Sequence, residues 1–425
     1  MQPLRGTKDI LPNETILWQH IYNQASKILS ISNYHEIRTP ILETTALFKR
    51  SIGNGTDIVN KEMYNFIDQG KRDITLRPEG TASIARAFIT NKLYLDQEVQ
   101  RLWYIGPMFR YERPQNGRQR QFHQLGIECI GSINPIADAE VIRLATNILT
   151  SLDCPKYLIE INSIGKIQER HNYQEALVNY LSPYHNELDN NDKYKLFTNP
   201  LKILDSKNHQ TQKILHSAPL LKDYLGKESE QHFHKVCEYL SFMNIEYKIN
   251  HQLVRGLDYY NDTAFEIKTD MLLGSQNTIC GGGRYDTLIK QLGGPDTPSI
   301  GWAIGIERLL LVVSQLVSIS KNQPIIYLAP QGFAAHKKIW EIIAILENKE
   351  IKFELDLNSK SLKKQLKKAS KSGAKLCIIL GDNEINNEKV TIKWLNNSLQ
   401  ETIQTSYLPN ILEQIKSEKL DKIIL

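Results

Sequence analysis

The chain has 425 residues, 41% of them hydrophobic, enough for two or three globular domains at roughly 100 to 200 residues each and too many for a single small binding module. Its 52 basic and 47 acidic side chains leave a net charge of only +5, so any nucleic-acid contact must come from local patches rather than a field over the whole molecule. The first residues lack the apolar stretch of an export signal, no uncharged apolar run approaches the ~18 residues of a membrane span, and five scattered cysteines (Cys129, Cys154, Cys237, Cys280, Cys377) form no Cys-x-x-Cys pair. The expectation is a soluble cytoplasmic protein with reduced thiols and no zinc.

In chain order, residues 1 to about 165 read as short alternating strands broken by glycine turns. Within them Glu79 stands two residues before the hydroxyl of Thr81, after a strand and ahead of the helix-like run Ala82 to Phe88. The most informative stretch, Met108 to Glu128, reads as a hairpin turning at Asn116-Gly117. Period-two alternation puts Arg110 and Glu112 on one face of its first strand, and Phe122, Gln124, Gly126 and Glu128 on one face of its second. Burying a face of arginine, glutamate, glutamine and phenylalanine is costly unless a ligand satisfies it, which points to a polar ligand site; the alternative is a solvent-exposed hairpin with internal salt bridges.

Arg110, Arg113, Arg118 and Arg120 gather permanently charged, bidentate groups suited to phosphate. The usual glycine-rich phosphate loops are missing: there is no Gly-x-x-x-x-Gly-Lys-Ser/Thr, and Gly281-Gly282-Gly283-Arg284-Tyr285-Asp286 does not fit Gly-x-Gly-x-x-Gly. Kinases, P-loop enzymes and Rossmann dehydrogenases lose ground accordingly.

From about 166 to 251 the sequence turns rich in Asn, Lys, His and Tyr with helical periodicity, and reads as an inserted helical subdomain. Its His232 and His234 have no third metal ligand in view and read as surface histidines. The strand-and-turn pattern resumes over 252–313, with Arg255, Asp258, Tyr259 and Tyr260 clustered beside Gly256, and with the small residues Gly301, Ala303 and Gly305 ahead of Arg308 at a helix entry. Residues 314–324 are polar, end in proline and read as a linker. Beyond it, over 325–425, strands at Ile325–Ala329, Ile351–Leu357, Leu376–Leu380 and Val390–Leu395 alternate with helices, a pattern of α/β type with a largely parallel sheet. Seven lysines and no acid between Lys360 and Lys375, at helical spacing around Leu362, Leu366 and Ala369, make one helix with a packed side and a cationic side.

Together these segments resemble the class II aminoacyl-tRNA synthetases, and specifically the bacterial histidyl branch. Arg38-Thr39-Pro40-Ile41-Leu42-Glu43 resembles the proline-containing first motif at the dimer interface, Phe109-Arg110-Tyr111-Glu112 the second motif and Gly305-Ile306-Glu307-Arg308 the third. Leu253 to Tyr260 and Gly282 to Asp286 resemble the two peptides that mark the histidyl branch. The resemblance implies an α+β catalytic domain on an antiparallel sheet with flanking helices (1–165 and 252–313), a helical insertion (166–251) and a C-terminal α/β anticodon-binding domain (325–425). It implies a homodimer that activates L-histidine with ATP and Mg²⁺ and passes it to its tRNA.

The resemblance also implies residue roles. Arg255 and Arg110 are the catalytic cations. Arg110, Glu112, Arg118, Phe122 and Arg308 bind ATP: Arg110 at the α-phosphate, Glu112 and Phe122 at adenine, Arg118 and Arg308 at the outer phosphates. Glu79, Thr81 and Gln124 hold the α-amino group of histidine, Glu128 and Tyr260 bond its two ring nitrogens, and Tyr259 completes the pocket. Arg113 and Gln115 in the hairpin loop, and Lys363 and Lys367 on the lysine helix, are the candidates for tRNA. Three rivals define what would have to be excluded. They are a catalytically silent, histidine-sensing relative, for which the phosphate arginines are dispensable; a class II enzyme for another amino acid, of which the threonyl type needs zinc; and a plain RNA-binding protein without ATP turnover.

Overall fold

Pro12–Ile31 forms the first helix: proline stands in its first turn, where no intrahelical N–H is needed, and Ile21, Ala25 and Leu29 recur at four-residue spacing and are buried. The computed structural model describes residues 1–417 apart from 54–55, 116, 155, 205, 207, 273–276, 316–324, 359–360 and 398. The turn residue Asn116, Lys360 and nearly all of the linker read at 314–324 therefore lie outside the described residues. The chain divides into two units, Met1–Ser318 and Ile319–Leu425.

The first unit contains eleven strands among its described residues: β1 His35–Glu36, β2 Leu42–Thr44, β3 Tyr64–Ile67, β4 Asp73–Leu76, β5 Gln100–Phe109, β6 Gln121–Ile130, β7 Tyr157–Ser163, β8 Lys248–Ile249, β9 Asn261–Thr269, β10 Thr278–Arg284 and β11 Ser299–Gly305. Eight of them form one sheet in the order β1-β5-β6-β11-β10-β9-β7-β8, and β2-β4-β3 form a small second sheet. The expected antiparallel sheet holds for the six central strands. Both edges depart from it, because β1 on β5 and β8 on β7 run parallel; two-residue strands leave no alternation to read.

One face of the large sheet is apolar. Trp103, Leu125, Ile127, Phe265, Ile267 and Trp302 pack there with the helices Pro12–Ile31 and Pro135–Ser151 in a single core, and the Trp302 indole N–H donates to Val141 O at 2.8 Å. Because side chains alternate across a strand, the apolar back face leaves the other face free for the site. Between β7 and β8 the chain is helical: Ile167–Leu181, Asn190–Thr198, His209–Leu215 and Lys227–Phe242, with short 3₁₀ turns between. In this segment His234 is exposed, but His232 is not the surface histidine that was read. Its Nε2 lies 3.2 Å from Oδ1 of the fully buried Asp138, which also pairs with the buried Arg284. A buried carboxylate needs partners, and 94 residues of sequence separation hid this one.

The second unit carries β12 Ile326–Pro330, β13 Phe353–Leu355, β14 Leu376–Leu380, β15 Lys389–Trp394 and β16 Gln400–Gln404, in the order β13-β12-β14-β15-β16. Only β13/β12 and β12/β14 are parallel; β14/β15 and β15/β16 are antiparallel, so the sheet is mixed rather than largely parallel. The polar, half-open β16 carried no apolar pattern and was not anticipated. The lysine helix spans Leu362–Ser372, ended by Gly373 in the left-handed conformation (φ +79°). Leu362, Leu366 and Ala369 pack inward as the spacing implied, while Lys363, Lys364, Lys367 and Lys371 are exposed. Lys368 leaves the cationic face: its Nζ lies 3.1 Å from Glu354.

Candidate active site

The register of the central strands assembles the site on the sheet's open face. Gln124, Gly126 and Glu128 of β6 stand opposite Gly106, Tyr104 and Leu102 of β5, and opposite Gly305, Ala303 and Gly301 of β11. Gly281 and Gly283 of β10 then stand opposite Ala303 and Gly301, and opposite Glu266 and Ala264 of β9. The middle of this face is thus almost free of side chains. Long polar side chains lie in the furrow instead: a Cβ on Gly126 would meet the Tyr104 ring at 2.4 Å, on Gly301 Glu128 Oε2 at 1.9 Å, on Gly281 Arg255 Nη2 at 2.3 Å, and on Gly283 the Tyr260 ring at 2.9 Å. The glycines that read as turn signals are the floor on which these side chains rest.

Above this floor is a cleft of about 720 Å³ lined by, among others, Glu79, Thr81, Arg110, Glu112, Arg118, Phe122, Gln124, Arg255, Tyr259, Tyr260 and Arg308. Eleven of the residues read from the sequence therefore converge on one surface. Glu128 does not line it but lies beneath, 1% exposed. The tRNA candidates lie elsewhere: Arg113 and Gln115 on the exposed hairpin loop, and Lys363 and Lys367 in the second unit. The alternation assumed for Arg110 and Glu112 fails, since β5 ends at Phe109 and the Glu112 N–H turns back to Arg110 O at 2.7 Å. Both reach the cleft from the loop all the same.

At one end the groups are acidic and phenolic. Glu128 accepts from Thr81 Oγ1 at 2.7 Å and from the Tyr285 hydroxyl. Burial pushes its pKa up to about 8, so the carboxyl holds a proton at neutral pH. Glu79 caps the helix Thr81–Thr90, accepting from Thr81 N at 2.6 Å and Ala82 N at 2.8 Å; burial raises its pKa too. Tyr104, Tyr259, Tyr260 and Tyr285 are all buried here, and desolvation raises each phenol above its ordinary range. Thr81, read as an amino-group ligand, is therefore also a partner of Glu128, and Tyr285 and Tyr104 are functional candidates that the sequence reading missed. Tyr285 stood within a stretch already singled out. Tyr104 sits in an apolar-looking strand, its only signal being the opposed Gly126.

At the other end the groups are cationic. Arg118 donates to Glu112 Oε2 at 3.0 Å, and Arg110 Nη1 lies 3.7 Å from Glu112 Oε1. Arg110 also donates to Pro78 O at 2.8 Å and stands 5.2 Å over the Phe122 ring. Arg308 donates to Thr278 O at 2.9 Å, with burial and the neighbouring Arg118 lowering its pKa. Between the two ends Arg255 donates to Glu266 Oε1 at 2.5 Å; burial opposes its charge, but Glu266 holds its pKa above the ordinary value. Glu266, which also accepts from Thr278 Oγ1 at 3.0 Å, was likewise missed, as was Glu307, whose carboxylate accepts from His123 N and fixes β6 to the helix Ile306–Val313.

Three buried polar atoms of this region have no hydrogen-bond partner among the described residues: Tyr104 Oη, Gln124 Oε1 and Arg255 Nε. Buried polar groups are almost always satisfied, so these three hold hydrogen-bonding capacity that no described residue uses. Among the described residues no three His, Cys, Asp or Glu side chains converge as a metal-binding group, and Glu112 and Glu266 already face arginines.

An antiparallel sheet backed by helices, its open face holding an arginine-bearing hairpin, an arginine at a helix entry and a small-residue floor, is the catalytic fold of a class II aminoacyl-tRNA synthetase. The sequence profile described as histidyl-tRNA synthetase matches residues 6–309, and one described as an anticodon binding domain matches residues 325–415. The chloroplastic histidine–tRNA ligase of Gracilaria tenuistipitata var. liui is 64% identical over 98% of both chains, and the histidine–tRNA ligase of Cyanothece sp. (strain PCC 7425 / ATCC 29141) is 51% identical over 97% of both. The apo histidyl-tRNA synthetase of S. aureus superposes with a TM-score of 0.81 at 36% identity, covering 97% of this chain and 99% of its own. The chain belongs to the histidyl-tRNA synthetase family. It is a ligase that activates histidine with ATP and joins it to tRNA.

Proposed function

We propose that both steps take place in this cleft, with histidine at its acidic, phenolic end and ATP at its arginine end. The histidine carboxylate attacks the α-phosphorus; a new O–P bond forms, the bond to the leaving oxygen breaks, and pyrophosphate departs, leaving histidyl-adenylate. The attacking carboxylate is already a nucleophile, so the side chains align and neutralise rather than take a proton. Arg110 and Arg255 stabilise the charge on the phosphoryl oxygens, Arg118 and Arg308 hold the outer phosphates, and Glu112 and Phe122 receive adenine. Mg²⁺ enters with ATP as the counter-ion of its phosphates.

Glu79, Thr81 and Gln124 hold the α-amino group, and Glu128 and Tyr260, with Tyr259 beside them, take the imidazole. The Glu128 carboxyl holds a proton when the site is empty, so it and the ring nitrogen share one proton between them, and an amino acid without ring nitrogens leaves buried polar groups unpaired. The observation that carries this reading is the set of partnerless buried atoms, Tyr104 Oη, Gln124 Oε1 and Arg255 Nε, around one cleft. In the second step the terminal ribose hydroxyl of tRNA attacks the adenylate carbonyl and AMP leaves. Arg113 and Gln115 meet the acceptor end, and Lys363 and Lys367 meet the backbone near the anticodon.

A homodimer is supported by the exposed apolar side chains Ile41, Leu42, Phe66 and Ile67 at the small β2-β4-β3 sheet, the first two of them within the first motif. No helix among the described residues is long and apolar enough to cross a membrane. The protein works where its tRNA is charged, in a cytoplasm or, as the chloroplastic relatives suggest by their names, in a plastid interior. The test of the site is ATP–pyrophosphate exchange with each of the twenty amino acids. Exchange with histidine alone supports it, and exchange with a different amino acid discards the imidazole assignment.

A further inference from the structure

The span 252–260 carries Arg255, Tyr259 and Tyr260, yet it belongs to no helix or strand. Without a ladder its backbone groups need partners from elsewhere. The carbonyls on either side of Tyr259 find one in Arg170, on the helix Ile167–Leu181: Nη2 donates to Asp258 O at 3.4 Å and Nη1 donates to Tyr260 O. Asn199, further along the same helical segment, donates to Asp258 Oδ1 at 3.1 Å. From the opposite side Asp258 N donates to Ile52 O at 3.3 Å, and Gly53 (φ +92°) makes room for the aspartate, since a Cβ there would lie 2.4 Å from Asp258 Oδ2.

Arg170 is costly where it stands. Burial holds its pKa below the ordinary arginine value, Asp258 opposing that only in part, and among the described residues its guanidinium hydrogen-bonds to carbonyls and to no carboxylate. A largely buried guanidinium without an ion pair is a poor stabilising device, since its desolvation is only partly offset. Its planar fork is well suited to a different task, fixing two peptide groups at once in one relative orientation.

We propose that Arg170 is a positioning residue for histidine activation: by bridging the carbonyls of Asp258 and Tyr260 it sets Tyr259, Tyr260 and, through the same loop, Arg255 in their places in the cleft. The inference rests on the reading that this loop serves the reaction. It gives the helical segment between β7 and β8 a role in catalysis, because the clasp belongs to that segment, and whatever shifts the segment shifts the loop.

The experiment is ATP–pyrophosphate exchange by the full-length protein with Arg170→Ala, Arg170→Lys and Arg255→Ala, with guanidinium ion then added to each at millimolar concentration. A misplacement of about 1 Å in a reacting group costs on the order of 100-fold, so Arg170→Ala is expected to lose about that factor in kcat/KM for histidine while the KM for ATP stays put. Added guanidinium restores part of the loss in Arg170→Ala, and Arg170→Lys, which keeps the charge and one of the two bonds, falls between. Arg170→Ala or a folded Arg170→Lys with wild-type constants, a loss that guanidinium leaves untouched, or a loss that raises the ATP KM equally, overturns the proposal. Arg255→Ala separates the two readings: if it too is fully active, the loop has no part in the reaction, whereas an inactive Arg255→Ala beside a fully active Arg170→Ala removes the clasp alone.

Discussion

The two ends of the cleft solve opposite problems. At the acidic, phenolic end Glu79, Glu128, Tyr104, Tyr259, Tyr260 and Tyr285 are all buried, and both carboxyls have raised pKa values. At the arginine end Arg110, Arg118 and Glu112 keep side-chain exposures of 20%, 43% and 14% and pair among themselves. A dry group left without a partner costs about 1–3 kcal/mol, so the buried end can discriminate between amino acids. A half-wet ion pair is worth about 0–1 kcal/mol, so the arginines can be released cheaply to an anionic ligand. On the proposed assignment, selectivity belongs to the first end and charge neutralisation to the second.

The sharpest way to break that contrast is at Glu128. Glu128→Ala strands the Thr81 and Tyr285 hydroxyls, and the KM for histidine should rise about 100-fold while the KM for ATP holds, read by pyrophosphate exchange. An unchanged histidine KM removes Glu128 from recognition. Between the two ends, Gly281→Ala puts a Cβ 2.3 Å from Arg255 Nη2, the far end of a flexible side chain, so the protein folds but the cation moves. We expect kcat to fall about 30-fold with an unaltered melting temperature; wild-type turnover would mean that the position of Arg255 is not critical. At the wet end, Arg118→Ala leaves Glu112 with Arg110 alone and should raise the KM for ATP about tenfold, leaving that for histidine unchanged. An equal rise in both would erase the division between the ends.

A separate effect is on stability against pH. Glu128 keeps its proton in the folded state up to about pH 8, far above the unfolded carboxyl, so the folded state binds more protons between these values. Stability from this group is fully present below the unfolded pKa and is lost as pH rises through the folded one. Glu128→Gln, neutral at every pH, should unfold at the same denaturant concentration as the parent at acid pH and at a higher one near pH 9. Parallel pH curves for the two proteins would mean that Glu128 titrates normally.

Much of the site was legible because it was local. The four β6 residues Phe122, Gln124, Gly126 and Glu128 share a face by period two alone, Glu79 and Thr81 flank a helix start that composition signals, and the lysine helix declares its packed side through Leu362, Leu366 and Ala369. Several of the residues that were missed have remote partners. Tyr285 meets Glu128 across 157 residues, Arg284 meets Asp138 across 146, and Tyr104 is marked only by the glycine opposite it in another strand. The parallel edge strands β1 and β8 and the polar β16 were illegible for a different reason, being too short or too polar to carry a pattern.

Sequence by itself determined which chemical groups were available and on which face of each strand or helix they stand, because backbone geometry sets the periods of two and 3.6 residues wherever the element lies. Only the tertiary structure decided which of these groups lost their water. Burial depends on what the chain folds against, and burial is what holds a proton on Glu128, leaves Tyr104 Oη, Gln124 Oε1 and Arg255 Nε without partners, and places the Arg170 guanidinium against the loop of Arg255.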